Sequence, residues 1–400
     1  MSQIPTFSFT YPFSERVNHV PQSFVRDILK AAAQPDIISF AGGLPNPHFF
    51  PVDEMARATE AVLKSDGKNA LQYAVTEGYF PLRQYISDRY RHRQRLDIPP
   101  ENILITNGSQ QALDLIGKVF LDPQDPVLME RPSYLGAIQC LSMFQPHFME
   151  ANLEADGINL EELKEAYWDR AIKLFYCVPN YQNPTGICYS TQKRMEIAKI
   201  IRHHDTVLVE DDPYGEICFD HEQPDPIKSY NPEQTILLGS FSKTISPGLR
   251  LGWVAAETPI IEKLTRMKQA SDLHSNHLAQ RILHHFLMEN DLVDHLIRLR
   301  NFYGRQKDRM TALIRRYFPA NVSFVDPQGG MFIWLTLPEH VSAHEILYET
   351  LQQKVLFVPG DNFYVSNGQK NTIRLNFSNC SESQMEEGLK ILGGVLKAYC

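Results

Sequence analysis

The sequence predicts an α/β protein: a mostly parallel sheet covered by helices on both faces, followed by a smaller α/β domain. Two observations carry this reading. Between Asn102 and Val254, short and nearly continuous Val/Ile/Leu runs alternate with stretches of helical spacing, and strands apolar on both sides belong to parallel sheets enclosed by helices. After about Asn301 the pattern changes to strands and a helix, entered through the paired glycines Gly329 and Gly330.

In chain order, the first forty residues carry prolines and aromatics and one candidate helix, Pro21 to Ala33. The apolar run Ile37 to Phe40 ends at Gly42, Gly43 and Pro45. Such a turn lets backbone approach a ligand, and an αL turn explains the glycines equally well. Leu71-Gln72-Tyr73 precedes Thr76-Glu77-Gly78 and a helical pattern through Tyr85 and Tyr90. Strands are expected at Ile103–Thr106, Val127–Glu130, Leu174–Val178, Val207–Glu210, Ile236–Ser240 and Leu251–Val254. Helices dominate from Pro259 to Asn301, and the last hundred residues hold strands at Gly329–Leu335, Val355–Val358 and Thr372–Phe377 with a helix from Ser342.

Ligands in such sheets sit beyond the strand C-terminal ends, and each expected strand is followed by groups able to hold one. Asn107-Gly108-Ser109-Gln110 opens a helix, where free amides and the dipole favour an anion, although a plain serine cap fits as well. Tyr134 follows the second strand and Asn183-Pro184-Thr185-Gly186 the third; Glu210-Asp211-Asp212 ends the fourth, three carboxylates that are costly to bury without a cation. Lys243 follows the fifth, with Ser240, Ser242 and Arg250 within reach of one small anion. A lysine beside a phosphate site suggests a Schiff base, because a free amine titrates near ~10.4 and is almost wholly protonated at neutral pH.

Ser240-Phe241-Ser242-Lys243 followed by Pro247-Gly248-Leu249-Arg250-Leu251-Gly252 resembles the cofactor-lysine motif of fold-type I pyridoxal-phosphate aminotransferases. The 2-aminoadipate and kynurenine/aminoadipate enzymes are the nearest in kind, and the likeness runs from about Arg26 to the C-terminus. It implies a seven-stranded sheet in a large domain over 41–300, a small domain over 301–400, and an N-terminal arm and helix over 1–40 packing with the small domain. It also implies pyridoxal 5′-phosphate bound by Lys243, its phosphate held by Ser109, Gln110, Ser240, Ser242, Arg250 and Tyr73 of a partner protomer in a homodimer. Tyr134 would cover the ring, Asp211 pair with its nitrogen in preference to Asp212, and Asn183 and Tyr214 meet its phenolic oxygen. Lys243, Asp211 and Tyr134 are the catalytic candidates; Gly43, Asn183, Arg374 and Arg26 are the substrate-binding ones. Arg374 would grip the α-carboxylate and Arg26 a side-chain carboxylate.

The expected reaction is amino transfer between an L-amino acid, 2-aminoadipate or glutamate foremost, and a 2-oxo acid such as 2-oxoglutarate. A broad aromatic or branched-chain aminotransferase is the alternative, with a lyase or a non-catalytic regulatory domain further off; the likeness begins too early for a preceding winged helix. Net charge −8 without a long basic run argues against nucleic acid. No apolar stretch approaches the roughly 20 residues that span a bilayer, and the N-terminus lacks a secretory pattern, so a cytoplasmic protein is expected. Cys140, Cys177, Cys188, Cys218, Cys380 and Cys400 form no Cys-x-x-Cys pair, and no metal motif is present.

Overall fold

All six expected strands of the large sheet form where the apolar runs mark them. The computed structural model describes residues 11–20, 34, 36–219 and 224–400; Arg26 and the expected Pro21–Ala33 helix lie outside the described residues. In order come β1 (Ile38–Ser39), β2 (Ile103–Thr106), β3 (Pro126–Arg131), β4 (His147–Glu154), β5 (Gly157–Ile158), β6 (Leu174–Cys177), β7 (Val207–Asp212), β8 (Thr235–Ser240) and β9 (Gly252–Ala255). The large sheet has the order β2-β9-β8-β7-β6-β3-β4-β5. From β8 to β4 every neighbour is parallel, while β9 runs antiparallel to both β2 and β8.

The seven strands implied by family resemblance are therefore eight. The two beyond the sequence reading, β4 and β5, lie at one edge and pair antiparallel with each other. β4 reads His-Phe-Met-Glu-Ala-Asn-Leu-Glu and fully buries only Ala151, so it lacks the apolar run that marks a central strand.

Those runs are continuous because neighbouring residues enter different cores. Val127, Met129, Leu174, Tyr176 and Val209 pack on one face with Leu113 and Ile116 of the Ser109–Phe120 helix. Leu128, Phe175, Cys177 and Leu208 pack on the other with Leu163 and Ile197 from the Leu160–Asp169 and Thr191–Ile201 helices. Burying each such aliphatic or aromatic side chain is worth roughly 1.5–3 kcal/mol, and strand alternation divides the gain between the two faces.

The C-terminal sheet contains β10 (Ser323–Phe324), β11 (Phe332–Thr336), β13 (Val358–Pro359) and β14 (Thr372–Asn376) in the antiparallel order β10-β11-β14-β13. The expected Val355–Val358 strand is split, since β12 (Val355–Leu356) leaves this sheet to pair in parallel with β1. The Leu292–Tyr317 helix runs unbroken through residue 300. Beyond β1, the Phe40 carbonyl accepts from Asn376 N at 2.8 Å and Ser378 Oγ donates to the Leu44 carbonyl at 2.7 Å.

Candidate active site

The turn after β8 is closed by its own backbone: Ser242 N donates to Ser240 Oγ at 3.1 Å, and Ile245 N and Ser246 N donate to the Phe241 carbonyl at 2.9 and 3.1 Å. It presents Lys243 to a cavity of about 290 Å³ at the C-terminal ends of the parallel strands. Lys243 Nζ donates to the Gly43 carbonyl at 2.7 Å. Burial, aided by the Arg374 and Arg250 guanidinium groups, pushes the amine down to about 8. About a tenth of it is then neutral at pH 7, against roughly one in two thousand five hundred for an unperturbed lysine.

Across the cavity stands Asp211, 2% exposed. Its Oδ2 accepts from Tyr176 Oη at 2.9 Å, while Oδ1 is buried with no hydrogen-bond partner. Burial, with Asp212 and Glu130 adding repulsion, pushes this carboxyl up to about 7. Asp212 is turned to other work: its Oδ1 accepts from Asn180 Nδ2 and Gly215 N, both at 2.8 Å. Asp211 and not Asp212 lines the cavity, so the choice between adjacent acids follows from strand alternation.

A cup for an anion forms where the Ser109–Phe120 helix begins. Gly108 caps it at φ 75°, and a Cβ there would stand 2.7 Å from Arg250 Nη2, so glycine admits both the left-handed backbone and the guanidinium. Arg250 Nη2 donates to the Asn107 carbonyl at 3.2 Å, and Ser109, Ser240 and Ser242 complete the wall. The Gln110 side chain is committed to the Gly136 carbonyl at 2.8 Å, so the backbone amide is what that residue offers. Asn107 is itself fixed by Asp272, whose Oδ2 accepts from Asn107 Nδ2 at 2.8 Å, Gln111 Nε2 at 2.6 Å and the fully buried Lys268 at 2.9 Å.

Arg374 reaches the cavity from β14. Every residue of that strand is buried, and Arg374 lies between the Phe332 and Phe363 rings, 4.4 and 4.9 Å from their centroids. Nη1 donates to Asn183 Oδ1 at 2.8 Å and Nη2 to the Ala41 carbonyl at 2.5 Å. Burial lowers it to about 10, still a cation at neutral pH. Asn183 also hydrogen-bonds the Tyr214 phenol, whose proton burial makes hard to remove. Tyr134 closes another wall, pushed up to about 12 by burial beside Asp211.

Gly43 is required by close approach and not by an αL turn: a Cβ there would meet Phe332 Cζ at 2.9 Å. Tyr73 does not line the cavity; it is 78% exposed, its ring edge-on to His274 at 6.0 Å. Sequence reasoning missed Tyr176, Phe332 and the Asp272–Lys268 pair, all of which hold or shape the site without a motif of their own.

A lowered lysine, an acid with one open oxygen and an anion cup around one cavity are the groups an aldehyde cofactor with a ring nitrogen and a phosphate needs, and the residues fit it. The profile of the family described as "Aminotransferase class I and II" matches residues 38–392. This chain belongs to that family. As a class I and II aminotransferase it is a pyridoxal 5′-phosphate-dependent enzyme acting on amino acids and 2-oxo acids. It is 37% identical to aromatic-amino-acid aminotransferase 1 of Thermococcus litoralis, over 99% of this chain and 96% of that one. The crystal structure of α-aminoadipate aminotransferase from Thermus thermophilus, complexed with N-(5′-phosphopyridoxyl)-L-leucine, matches with TM-score 0.90 and 37% identity, covering 96% of this chain and 97% of the other. That of kynurenine aminotransferase from Pyrococcus horikoshii matches with TM-score 0.93 and 36% identity, over 97% of both chains. Among the described residues of this aminotransferase, no helix is long and apolar enough to cross a membrane.

Proposed function

We propose that Lys243 carries the cofactor as a Schiff base and that the enzyme transaminates 2-aminoadipate or glutamate with 2-oxoglutarate. The carrying observation is that Asp211, whose buried Oδ1 has no hydrogen-bond partner, lines the same cavity as a lysine lowered to about 8. Bound there, pyridoxal phosphate supplies an electron sink for the pair left when Cα–H breaks. Asp211 would keep a proton on the ring nitrogen, Arg250 and the Gly108–Gln110 amides would hold the phosphate, and Tyr134 would cover the ring. Arg374 would grip the substrate α-carboxylate with both prongs, an orientation that would favour amino transfer over loss of CO₂. Lys243 Nζ, lowered by burial and by its two guanidinium neighbours, would take the proton from Cα once the incoming amino acid has displaced it.

The donor follows from counting cations. Among the described residues lining the cavity these are Lys243, Arg250 and Arg374, and each has a task, so a second substrate carboxylate needs a fourth. Arg26, outside the described residues, is the residue proposed for it. Leu44, 50% exposed at the cavity mouth, favours a second reading in which aromatic or branched-chain donors are also taken. Arg26→Ala separates these: KM for 2-aminoadipate should rise about tenfold or more while that for leucine holds, and equal losses would refute the role.

The active unit is proposed to be a cytoplasmic homodimer in which Tyr73 reaches the partner's phosphate. Leu71, Tyr73 and Val75 are 71, 78 and 59% exposed on one short stretch, an apolar face of the kind interfaces cover. Six free thiols suit a reducing compartment. An absorption titration of the loaded enzyme with each donor, reversed by 2-oxoglutarate, tests the reaction; borohydride reduction and peptide mapping test Lys243.

A further inference from the structure

We propose that His295 is a positioning residue for Lys243, acting through the backbone of the lysine turn without touching cofactor or substrate. The inference rests on the reading of Lys243 as the cofactor lysine.

His295 lies in the first turn of the Leu292–Tyr317 helix and is 8% exposed. Its Nε2 stands 2.8 Å from the carbonyl oxygen of Thr244, the residue after Lys243. A carbonyl only accepts, so Nε2 carries the hydrogen, which assigns the ring's tautomer. The peptide unit it grips is held at its other end as well, because Ile245 N–H donates to the Phe241 carbonyl. Phe241 precedes Lys243 and Ile245 follows it. The turn is thus closed around the lysine by one bond and fastened to a helix fifty residues away in the chain by the other.

The held peptide joins Thr244 to Ile245, one Cα beyond the planes that flank Lys243, and a rotation passed back through Thr244 swings Nζ at the end of a four-carbon stem. Misplacing a reacting group by about 1 Å costs on the order of a hundredfold in rate. The ring keeps its place without charge: burial and Arg298 lower its basicity, opposed by the Thr244 carbonyl and Glu54. His48, Asp291 and Asp294 complete the polar cavity on that side.

The test uses loaded wild-type enzyme, His295→Gln and His295→Asn. The Gln amide is long enough to donate to Thr244, whereas the Asn amide is not. In His295→Asn the pH midpoint of the visible cofactor band should move by about half a unit or more, and kcat should fall about tenfold with KM for 2-oxoglutarate within about twofold. His295→Gln should recover most of both. Borohydride reduction of the wild type should label Lys243. A label on another lysine would overturn the reading of Lys243 itself. A labelled Lys243 with midpoint and kcat unchanged in His295→Asn, whatever its Tm, would overturn the role of His295 alone.

Discussion

Tyr176 Oη holds one oxygen of Asp211 at 2.9 Å and leaves the other without a partner. The pair is diagonal across two parallel strands: Tyr176 is in register with Val209, and Asp211 lies two residues further on the same face. An acid pushed up to about 7 stores a cost in the empty protein that the proposed ring cation would relieve.

Asp211→Asn should therefore stabilise the cofactor-free protein while weakening the hold on cofactor. The sign follows from proton binding: between pH 4 and 7 the native carboxyl keeps a proton that the unfolded chain has released, so stability falls as pH rises through this window and the loss is complete above it. At pH 8 the empty variant should gain roughly 1–3 kcal/mol over wild type, and at pH 4 almost nothing. Urea unfolding at both pH values checks this; equal gains at both would mean that ionisation is not the cause.

Arg374→Lys keeps the charge but loses the fork that binds Asn183 and Ala41 and is proposed to bind a carboxylate, and the planar stacking between Phe332 and Phe363. KM for every amino donor should rise about ten- to a hundredfold. Steady-state kinetics with glutamate and leucine read this, and a KM within twofold for both would remove the carboxylate role.

Gly43→Ala places a methyl carbon 2.9 Å from Phe332 Cζ, and Phe332 lies under Arg374. We expect about a tenfold fall in kcat/KM for all donors and a loss of roughly 1–3 kcal/mol in stability. Adding Phe332→Leu should restore stability. A double variant no better than the single would show that the clash lies elsewhere.

Asp272→Asn removes the charge that gathers Asn107, Gln111 and Lys268. The pair is only partly buried, since Asp272 remains 25% exposed, so a stability loss of roughly 1–3 kcal/mol is expected. Cofactor should dissociate about tenfold faster because the Asn107–Ser109 loop loosens. Dialysis followed by absorption measures the retained fraction.

The parts legible in the sequence share one physical property: their signal is local. Strands β2, β3, β6, β7, β8 and β9 announce themselves because they are buried along most of their length, and Ser109, Asn183, Asp211 and Lys243 could be placed because each ends or follows such a strand. Arg374 was harder, since alternation alone would put it toward solvent. β4 was missed because its outer position leaves it half polar. Tyr176 read as one more apolar residue, for only the register of β6 against β7 brings it to Asp211. The Asp272 contact closes over 165 residues, a distance across which no spacing rule operates.

The stitching of Phe40–Leu44 to the C-terminal sheet has a mechanical consequence. Phe40, Ala41 and Leu44 are each bonded to Asn376, Arg374 or Ser378, so the Gly43 wall and Arg374 are one lever. Against it stands the Lys243 to Gly43 bond, a catch between that lever and the parallel sheet. If Lys243 carries the cofactor as proposed, loading would engage the amine that makes the catch and leave the lever to be set by the substrate.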